Sequence, residues 1–535
     1  PLLILKQGTM RRRGRNAQRN NIMAARIISE VLKSTLGPRG MDKMLIDSMG
    51  DITITNDGAA ILKEIQIKHP TAKMMVDVAK TQDNMVGDGT TTAVILTGEL
   101  LRRAEELLNQ NIHPTAIVSG YKKAAQKGIE ILNKTGIPVD IKDRETLKKV
   151  AMTAMASKAV GAARTRLADI AVDAVKQIVD QRGERKVVDI VNVQIVKKEG
   201  KSLFDTQLIK GFIIDKQVIY TAMPHRIENA RIALLNSTLE MKKGEFDAAI
   251  RIKDPTQMQA FLDKETSMFK EMVTKIKASG ANVVFCQKGI DDPAQHFLAK
   301  EGILAARSIK GADMERIARA TGGKIITKLD DLKHQDLGNA GLVEERKIGE
   351  DKMIFVEECK NPRSVAVLIR AGLKRMIEEA DRAMHDTLST VADVVEHNKI
   401  VAGGGAIESE IAKGLRDYAT KIGGREQLAI EAFAEALEIV PKTLAENAGL
   451  EPIDILVALR SAHEKPKGHL MGVDVFTGKI VDMHEKGVIE PLRVKEQAVK
   501  SAAEVASMIL RIDDVIAATT PKEYKAPPLD ADMEE

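Results

Sequence analysis

The sequence predicts a multi-domain fold in which a mainly α-helical domain, built discontinuously from both chain ends, carries α/β or α+β material inserted between them. Three observations lead there. The chain has 535 residues, too many for one core at ~100 to 200 residues per domain, so roughly three domains are expected. Apolar residues recur at helical spacing in the first and last parts of the chain. Between them, from about Val187, short strand-like runs alternate with helical segments.

Taken in order, "NIMAARIISEVLK", Asn21 to Lys33, sets Ile22, Ala25, Ile28, Val31 and Leu32 on one helical face. "LGPRG", Leu36 to Gly40, breaks that helix. "DITITNDG" alternates Ile52 and Ile54 with Thr53 and Thr55, which predicts a strand ending in a turn at Asn56, Asp57 and Gly58. Helices then follow to about Gly128, and "TTAVILTGELLRRAEELLNQ" carries Ala93, Leu96, Leu100, Ala104 and Leu107 as one stripe. "RETLKKVAMTAMASKAVGAARTRLADIAVDAVKQIV" reads as a further long helical stretch. The runs "VVDIVNVQIV", "KGFIID", "RIALLN", "ANVVFCQ", "GILAAR", "KIITKL" and "KMIFVEEC" are strand-like. After "SVAVLIR" the pattern returns to helix from Leu373 through Val395 and stays largely helical to "VASMILRIDDVIAA". One long insertion, carried on two connecting segments, explains that order. The polar, acidic tail "PKEYKAPPLDADMEE" is expected to be disordered.

Composition excludes several functions. Forty-four per cent apolar and 29% charged residues predict a soluble globular protein. With aromatic content of 3% and no Trp, the cores must rest on aliphatic residues and 23 Met, and base-stacking platforms for single-stranded nucleic acid are not expected. The net charge of +5 comes from 81 basic and 76 acidic residues with interleaved signs, so no nucleic-acid stripe is indicated. The one basic cluster, "RRRGRNAQR", reads as a solvated segment before a helix. Cys286 and Cys359 lack CxxC spacing, which fits a reducing compartment without disulfide or zinc frameworks. His463 and His469 share a Gly/Pro loop without partners at metal-ligand spacing. No apolar run approaches the ~18 residues of a membrane span and no signal-peptide pattern precedes Arg11, so a cytoplasmic location away from membranes is expected.

The chemistry concentrates in "DNMVGDGTTTAV", Asp83 to Val94. A helix N-terminus offers unpaired N–H groups and the positive end of the helix dipole, and glycine lets a phosphate approach that backbone. Gly87 and Gly89 supply backbone freedom, while Thr90, Thr91 and Thr92 add hydroxyl donors. Asp88 would repel phosphates unless a cation lay between them; Mg²⁺ is held by one or two carboxylates plus phosphate oxygens, which makes Asp88 a magnesium-ligand candidate. The alternative is an ordinary capped helix start, with Asp88 or Thr90 as N-cap. No G-x-x-x-x-G-K-[ST] loop occurs around it. "TLGPRG" and "VAGGGAIE" are two further places where backbone could approach a ligand.

In combination, "STLGPRGMDKML", "TNDGAAIL", "VGDGTTTAV", "SGANVVFCQKGIDD", "LVEERKIG", "FVEECKNP", "VAGGGAIE", "GREQLA", "TLAENAGL" and "EPLRVK" resemble the group II chaperonins, nearly end to end and in order. The resemblance implies a ring ATPase that encloses unfolded client proteins in stacked rings of identical or homologous subunits. It implies a helical equatorial domain over 1–142 and 402–535, an α+β intermediate hinge domain over 143–210 and 366–401, and an α/β apical domain over 211–365. By resemblance, the cofactors are ATP or ADP and Mg²⁺. Asp88 would hold the metal, Gly89 and Thr90 to Thr92 the phosphates, with Asn56 beside them, and Leu36, Gly37 and Pro38 would line the nucleotide. Gly404 and Gly405 would lie on its ribose side, with Glu490 as an acidic ribose or base contact and Asp474 nearby. Asp386 sits on a helix whose buried stripe runs Ile377, Ala380, Met384, Leu388 and Val391, and points off that stripe. The resemblance makes it the carboxylate that positions or deprotonates the attacking water, with Asp57 assisting. Lys158 matches a lysine that senses the γ-phosphate.

The resemblance also implies a helical lid protrusion at 243–272, removing the need for a separate lid co-chaperonin. There Phe246, Ile250, Ile252, Met258, Phe261, Leu262, Met268, Phe269 and Met272 form a Met and Phe surface able to repack on many clients, though packing between lid helices accounts for most of them. "PLLILK", "ILRIDDVIAA" and the "MLIDSMGDITIT" hairpin could pair as sheet across neighbouring subunits. The alternative function is an ATP-binding structural ring or filament without a primary folding role.

Overall fold

The computed structural model describes residues 10–183, 185–240, 255–360 and 363–517. The first helix, α1 (Gly14–Lys33), begins well before the predicted Asn21. Its added turns expose Arg15 and Arg19 and bury only Ala17, so no apolar period marks them, although Arg, Ala and Gln favour helix. The basic cluster is largely solvated, as expected, but it does not wholly precede the helix. Met10–Arg13 form a strand antiparallel to Asp514–Ala517, and the rest is helix. That pairing also corrects the predicted helix through "VIAA" and unites the two described chain ends within one subunit; "PLLILK" and the acidic tail lie outside the described residues. The predicted hairpin is present, Lys43–Ile46 against Ile52–Thr55, with Met44, Ile46 and Met49 exposed.

The chain then enters α2 (Gly58–Glu64), α3 (Pro70–Val86), α4 (Thr90–Asn109) and α5 (Pro114–Thr135). The single helical stretch predicted from Arg144 is broken into α6 (Arg144–Ala154) and α7 (Arg164–Ile178). Between them Gly161 takes φ +52° and the Asn56 side-chain amide donates to the Ser157 carbonyl, so a tertiary partner takes an acceptor that an unbroken helix would use.

The middle of the chain builds a seven-stranded mixed sheet. Its central strand, Arg226–Leu235, runs parallel to Val283–Cys286 and antiparallel to Gly338–Ile348. Three helices accompany it: α8 (Pro255–Ala278), α9 (Asp292–Lys300) and α10 (Gly311–Thr321). Of the predicted lid segment, residues 243–254, with Phe246, Ile250 and Ile252, lie outside the described residues, as do the side chains of Met258, Phe261 and Leu262. The remainder divides. Phe269 is buried in the sheet's core with Val273 and Ile276, whereas Met268 is exposed.

A three-stranded sheet, with Val365–Ala371 between Val193–Glu199 and Gln207–Ile209, receives both ends of this insertion and leads into α11 (Lys374–His397). The last block holds α12 (Ala406–Ile422), α13 (Gly424–Leu437), α14 (Ile439–Asn447), α15 (Pro452–His463), α16 (Met483–Lys486) and α17 (Leu492–Leu510). Short strands interrupt it. One of them, Lys399–Ala402, lies between Ile137–Pro138 and Ile489–Pro491.

Packing follows this nesting. One core draws on Ile22 to Leu132 and Val401 to Leu510, a second runs only from Phe212 to Cys359, and a third joins Leu147 to Leu203 with Val365 to Ile400 and with Ile489 from the last block. Both cysteines are free and buried, and burial pushes each thiol up to about 11. His463 ends α15 rather than lying in a loop, its ring held by Glu410 and the Met471 carbonyl. Among the described residues no group of three His, Cys, Asp or Glu side chains could hold a metal ion, and no helix is long and apolar enough to cross a membrane.

Candidate functional site

A cavity of about 410 Å³ opens where the first and last helical blocks meet the α6–α7 break. It gathers Leu36, Gly37, Pro38, Asn56, Asp57, Asp88, Gly89, Thr90, Thr91, Thr92, Lys158, Gly404, Gly405, Asp474 and Glu490 from seven separate stretches of chain. Val440, Leu444, Val473, Val475, Phe476 and Met483 add apolar wall.

Two helix N-termini face this space. Gly89 caps α4 with φ +75°, a left-handed conformation glycine adopts without steric cost; a Cβ there would meet Val494 and Gln82. The N-cap is thus Gly89, not Asp88 or Thr90, and no side chain occupies the helix start. The N–H groups of Thr90 to Thr92 therefore have no partner within the helix. Gly405 caps α12 in the same way. Gly87 is the exception among the glycines. It ends α3, packs against Ser389 of α11, and does not line the cavity. Its role is to turn the chain and admit α11.

Charge in the site is arranged around Lys158. Its side chain is 7% exposed, with Nζ 2.9 Å from Asp386 Oδ2 and 3.7 Å from Asp57 Oδ1. Burial works against this ammonium, but Asp386 and Asp57 outweigh burial and hold its pKa above the ordinary lysine range. Asp386, 13% exposed, stands behind Lys158 rather than in the cavity wall. Burial pushes its carboxyl up to about 7 against the pull of Lys158, with Asp57 and Asp88 adding to the rise. The two shifts are compatible: several carboxylates share one ammonium, so the cation is kept while the enclosed carboxyl becomes a weaker acid.

Asp57 also caps α2, its Oδ2 accepting from Ala60 N at 2.8 Å, which turns the predicted free turn into a helix start. Asp88 Oδ1 accepts from Gly89 N at 2.6 Å. Burial raises its pKa, offset by that N–H and by Lys158 and Lys495. Asp83, in the last turn of α3, is raised by burial and then by Asp57. Asp474 is occupied locally by Lys486 at 3.0 Å, Phe476 N and the Thr477 hydroxyl. Burial alone would raise it, but these partners hold it below the usual carboxylate range.

Sequence reasoning missed three contributors. Lys495, in α17, lines the cavity between Glu408 and Glu490; it lay inside the quoted "EPLRVK", and only its burial distinguishes it. Gln82 is fully buried and donates to the carbonyls of Asp88 and Val494, tying α3, the α4 entry and α17 together. Arg164 adds a cation to the lining at the start of α7.

The chain has relatives among known proteins. Residues 28–520 match the model of the TCP-1/cpn60 chaperonin family. The thermosome subunit beta of Archaeoglobus fulgidus is 58% identical over 518 residues, covering 97% of this chain and 95% of that protein. The thermosome subunit beta of Thermococcus kodakarensis is 59% identical over 519 residues, with the same coverage. The thermosome subunit alpha of Archaeoglobus fulgidus is 56% identical over 527 residues, covering 98% and 96%. Identity this high, sustained through both helical blocks and the insertion between them, leaves one conclusion: the chain belongs to the TCP-1/cpn60 chaperonin family, as an archaeal group II chaperonin subunit.

Proposed function

We propose that the cavity binds Mg-ATP and that its hydrolysis drives an ATP-dependent chaperone, a ring-forming subunit that takes up unfolded proteins and encloses them with its own lid. The observation that carries this reading is the convergence of the bare α4 N-terminus, Asp88 and the Lys158–Asp386 pair at one cavity. Thr90 to Thr92 and Gly89 receive the phosphates. The donor set fits magnesium, since Asp88, a carboxylate beside the bare start of α4, suits an ion that shares its coordination with phosphate oxygens. Asp88 would hold that ion, which when bound offsets negative charge on the phosphoryl group. Leu36, Gly37, Pro38 and the apolar wall enclose the nucleoside, with Gly404, Gly405 and Glu490 on its ribose side and Asp474 bracing the loop beside it.

Lys158 is paired with Asp386. A γ-phosphate competes for the same ammonium. Once Lys158 turns toward it, Asp386 loses the cation that holds its carboxyl down and becomes a stronger base for a proton from the attacking water, with Asp57 assisting. In this way Lys158 reports the γ-phosphate to α11.

The three cores support equatorial, intermediate and apical units over 1–142 with 402–535, 143–210 with 366–401, and 211–365. The relatives' names, alpha and beta subunits, support assembly with identical or homologous partners. Membership of a chaperonin family favours a folding role over a purely structural ring. Light scattering by a denatured client decides the matter. Scattering should be suppressed by the protein, with client released as native enzyme only when ATP is supplied; aggregation unaffected by protein and ATP would refute the proposal.

A further inference from the structure

Lys495 has no place in the reading above, yet it is one of the most enclosed charges in the chain. It lies in the first turn of α17 with its side chain 8% exposed, Nζ standing 2.7 Å from Glu490 Oε2 and 2.9 Å from Glu408 Oε1. Glu408 belongs to the first turn of α12, and its side chain is 4% exposed. Glu490 belongs to the strand Ile489–Pro491. Taking an ammonium out of water costs several kcal/mol, so it persists only where partners compensate.

Here one cation serves two carboxylates, and the cluster keeps a net negative charge. Of the two carboxylates only Glu490 lines the cavity. Its Oε2 is taken by Lys495, while its Oε1 lies beside Gly403, where a Cβ would stand 2.8 Å from it. The missing side chain at Gly403 makes room for that oxygen. Burial and Glu408 both work against charge on Glu490, and Lys495 opposes them.

We propose that Lys495 is a positioning residue that gives the cavity its selectivity for ribonucleotides. It fixes Glu490 through one oxygen so that the other accepts a hydrogen bond from the ribose hydroxyls. The inference rests on the nucleotide reading of the cavity. A hydrogen bond to a charged acceptor contributes about 1.5 to 3 kcal/mol, and a site built around it discriminates against the analogue that lacks the hydroxyl. A lysine that only stabilised the fold would weaken all nucleotides alike.

The test is calorimetric binding of Mg-ATP and Mg-dATP to the assembled protein and to Lys495→Met and Glu490→Gln. The unmodified protein should prefer ATP by about 10-fold to 100-fold. Both variants should bring the two affinities to within about threefold of each other, mainly by weakening ATP. If Lys495→Met does not assemble, Lys495→Met combined with Glu408→Gln, which rebalances the buried charge, takes its place. An unchanged ATP preference in an assembled Lys495 variant overturns the proposal, as does an unmodified protein that binds both nucleotides equally. Failure of the unmodified protein to bind either nucleotide overturns the nucleotide reading itself.

Discussion

At the scale of single residues, the Lys158–Asp386 pair makes claims that separate binding from chemistry. Asp386 stands behind the cavity wall, so Asp386→Ala should leave ATP affinity within about threefold while hydrolysis falls by roughly 100-fold or more, the size of effect expected for lost general-base catalysis. Filter binding and phosphate release read the two separately, and a parallel loss would remove Asp386 from the proposed role. Asp88→Ala should instead weaken nucleotide binding, and the defect should ease as magnesium is raised; a defect indifferent to magnesium would argue against a ligand. The pair also leaves a pH signature in the nucleotide-free protein. Asp386 is pushed up to about 7 when folded, above the ~3.9 of an unfolded chain, and each unit corresponds to about 1.4 kcal/mol. The folded state then binds more protons than the unfolded state between those values. Its stability should fall as pH rises from about 4 to 7 and level off above. Thermal unfolding across that range should show the slope, and Asp386→Asn should flatten it.

At the scale of elements, α8 shows where a lid can be separated from its support. Phe269, Val273 and Ile276 belong to the core of the seven-stranded sheet, so replacing residues 245–272 with a linker would remove a buried aromatic. Phe269→Ala alone should lower the stability of that unit by about 3 to 5 kcal/mol in denaturant titration. A Gly/Ser linker confined to residues 245–262 should spare fold and ATPase, since loop closure changes by only about 0.6 kcal/mol per doubling of length. ATP should then no longer shield a bound client from protease. Continued protection would mean that the segment is not the lid. Elements of this kind also mark how far the sequence could be read. The stripes of α4 and α11 were legible because their apolar residues recur at helical spacing, and the hairpin because Ile and Thr alternate in it, although its Ile side chains are exposed. The α6–α7 break was not, because Asn56, distant in sequence, supplies the partner that ends the helix. The site was legible at its glycines and threonines, whose types carry the chemistry. Lys495 and Gln82 stayed hidden because only burial distinguishes them from ordinary polar residues.

At the scale of the molecule, the nesting of cores has its own consequence. The second core closes on residues between Phe212 and Cys359 alone, so a fragment of residues 211–365 should unfold cooperatively by itself, with a melting transition in circular dichroism. A fragment of residues 10–142 should not, because its core is shared with Val401 to Leu510; cooperative melting of that fragment would break the argument. Between these two bodies runs α11. At 1.5 Å per residue, Asp386 sits about 18 Å from the helix start at Lys374. The helix packs against α6 and α7 along its buried stripe, is joined to Lys158 near its midpoint, and meets the three-stranded sheet at its start. Each 10° of tilt about that midpoint would move the start by about 3 Å over the ~18 Å between them. On the proposed function, a phosphate that draws Lys158 from Asp386 would act halfway along this helix, where a small rotation becomes a displacement several times larger at the inserted unit.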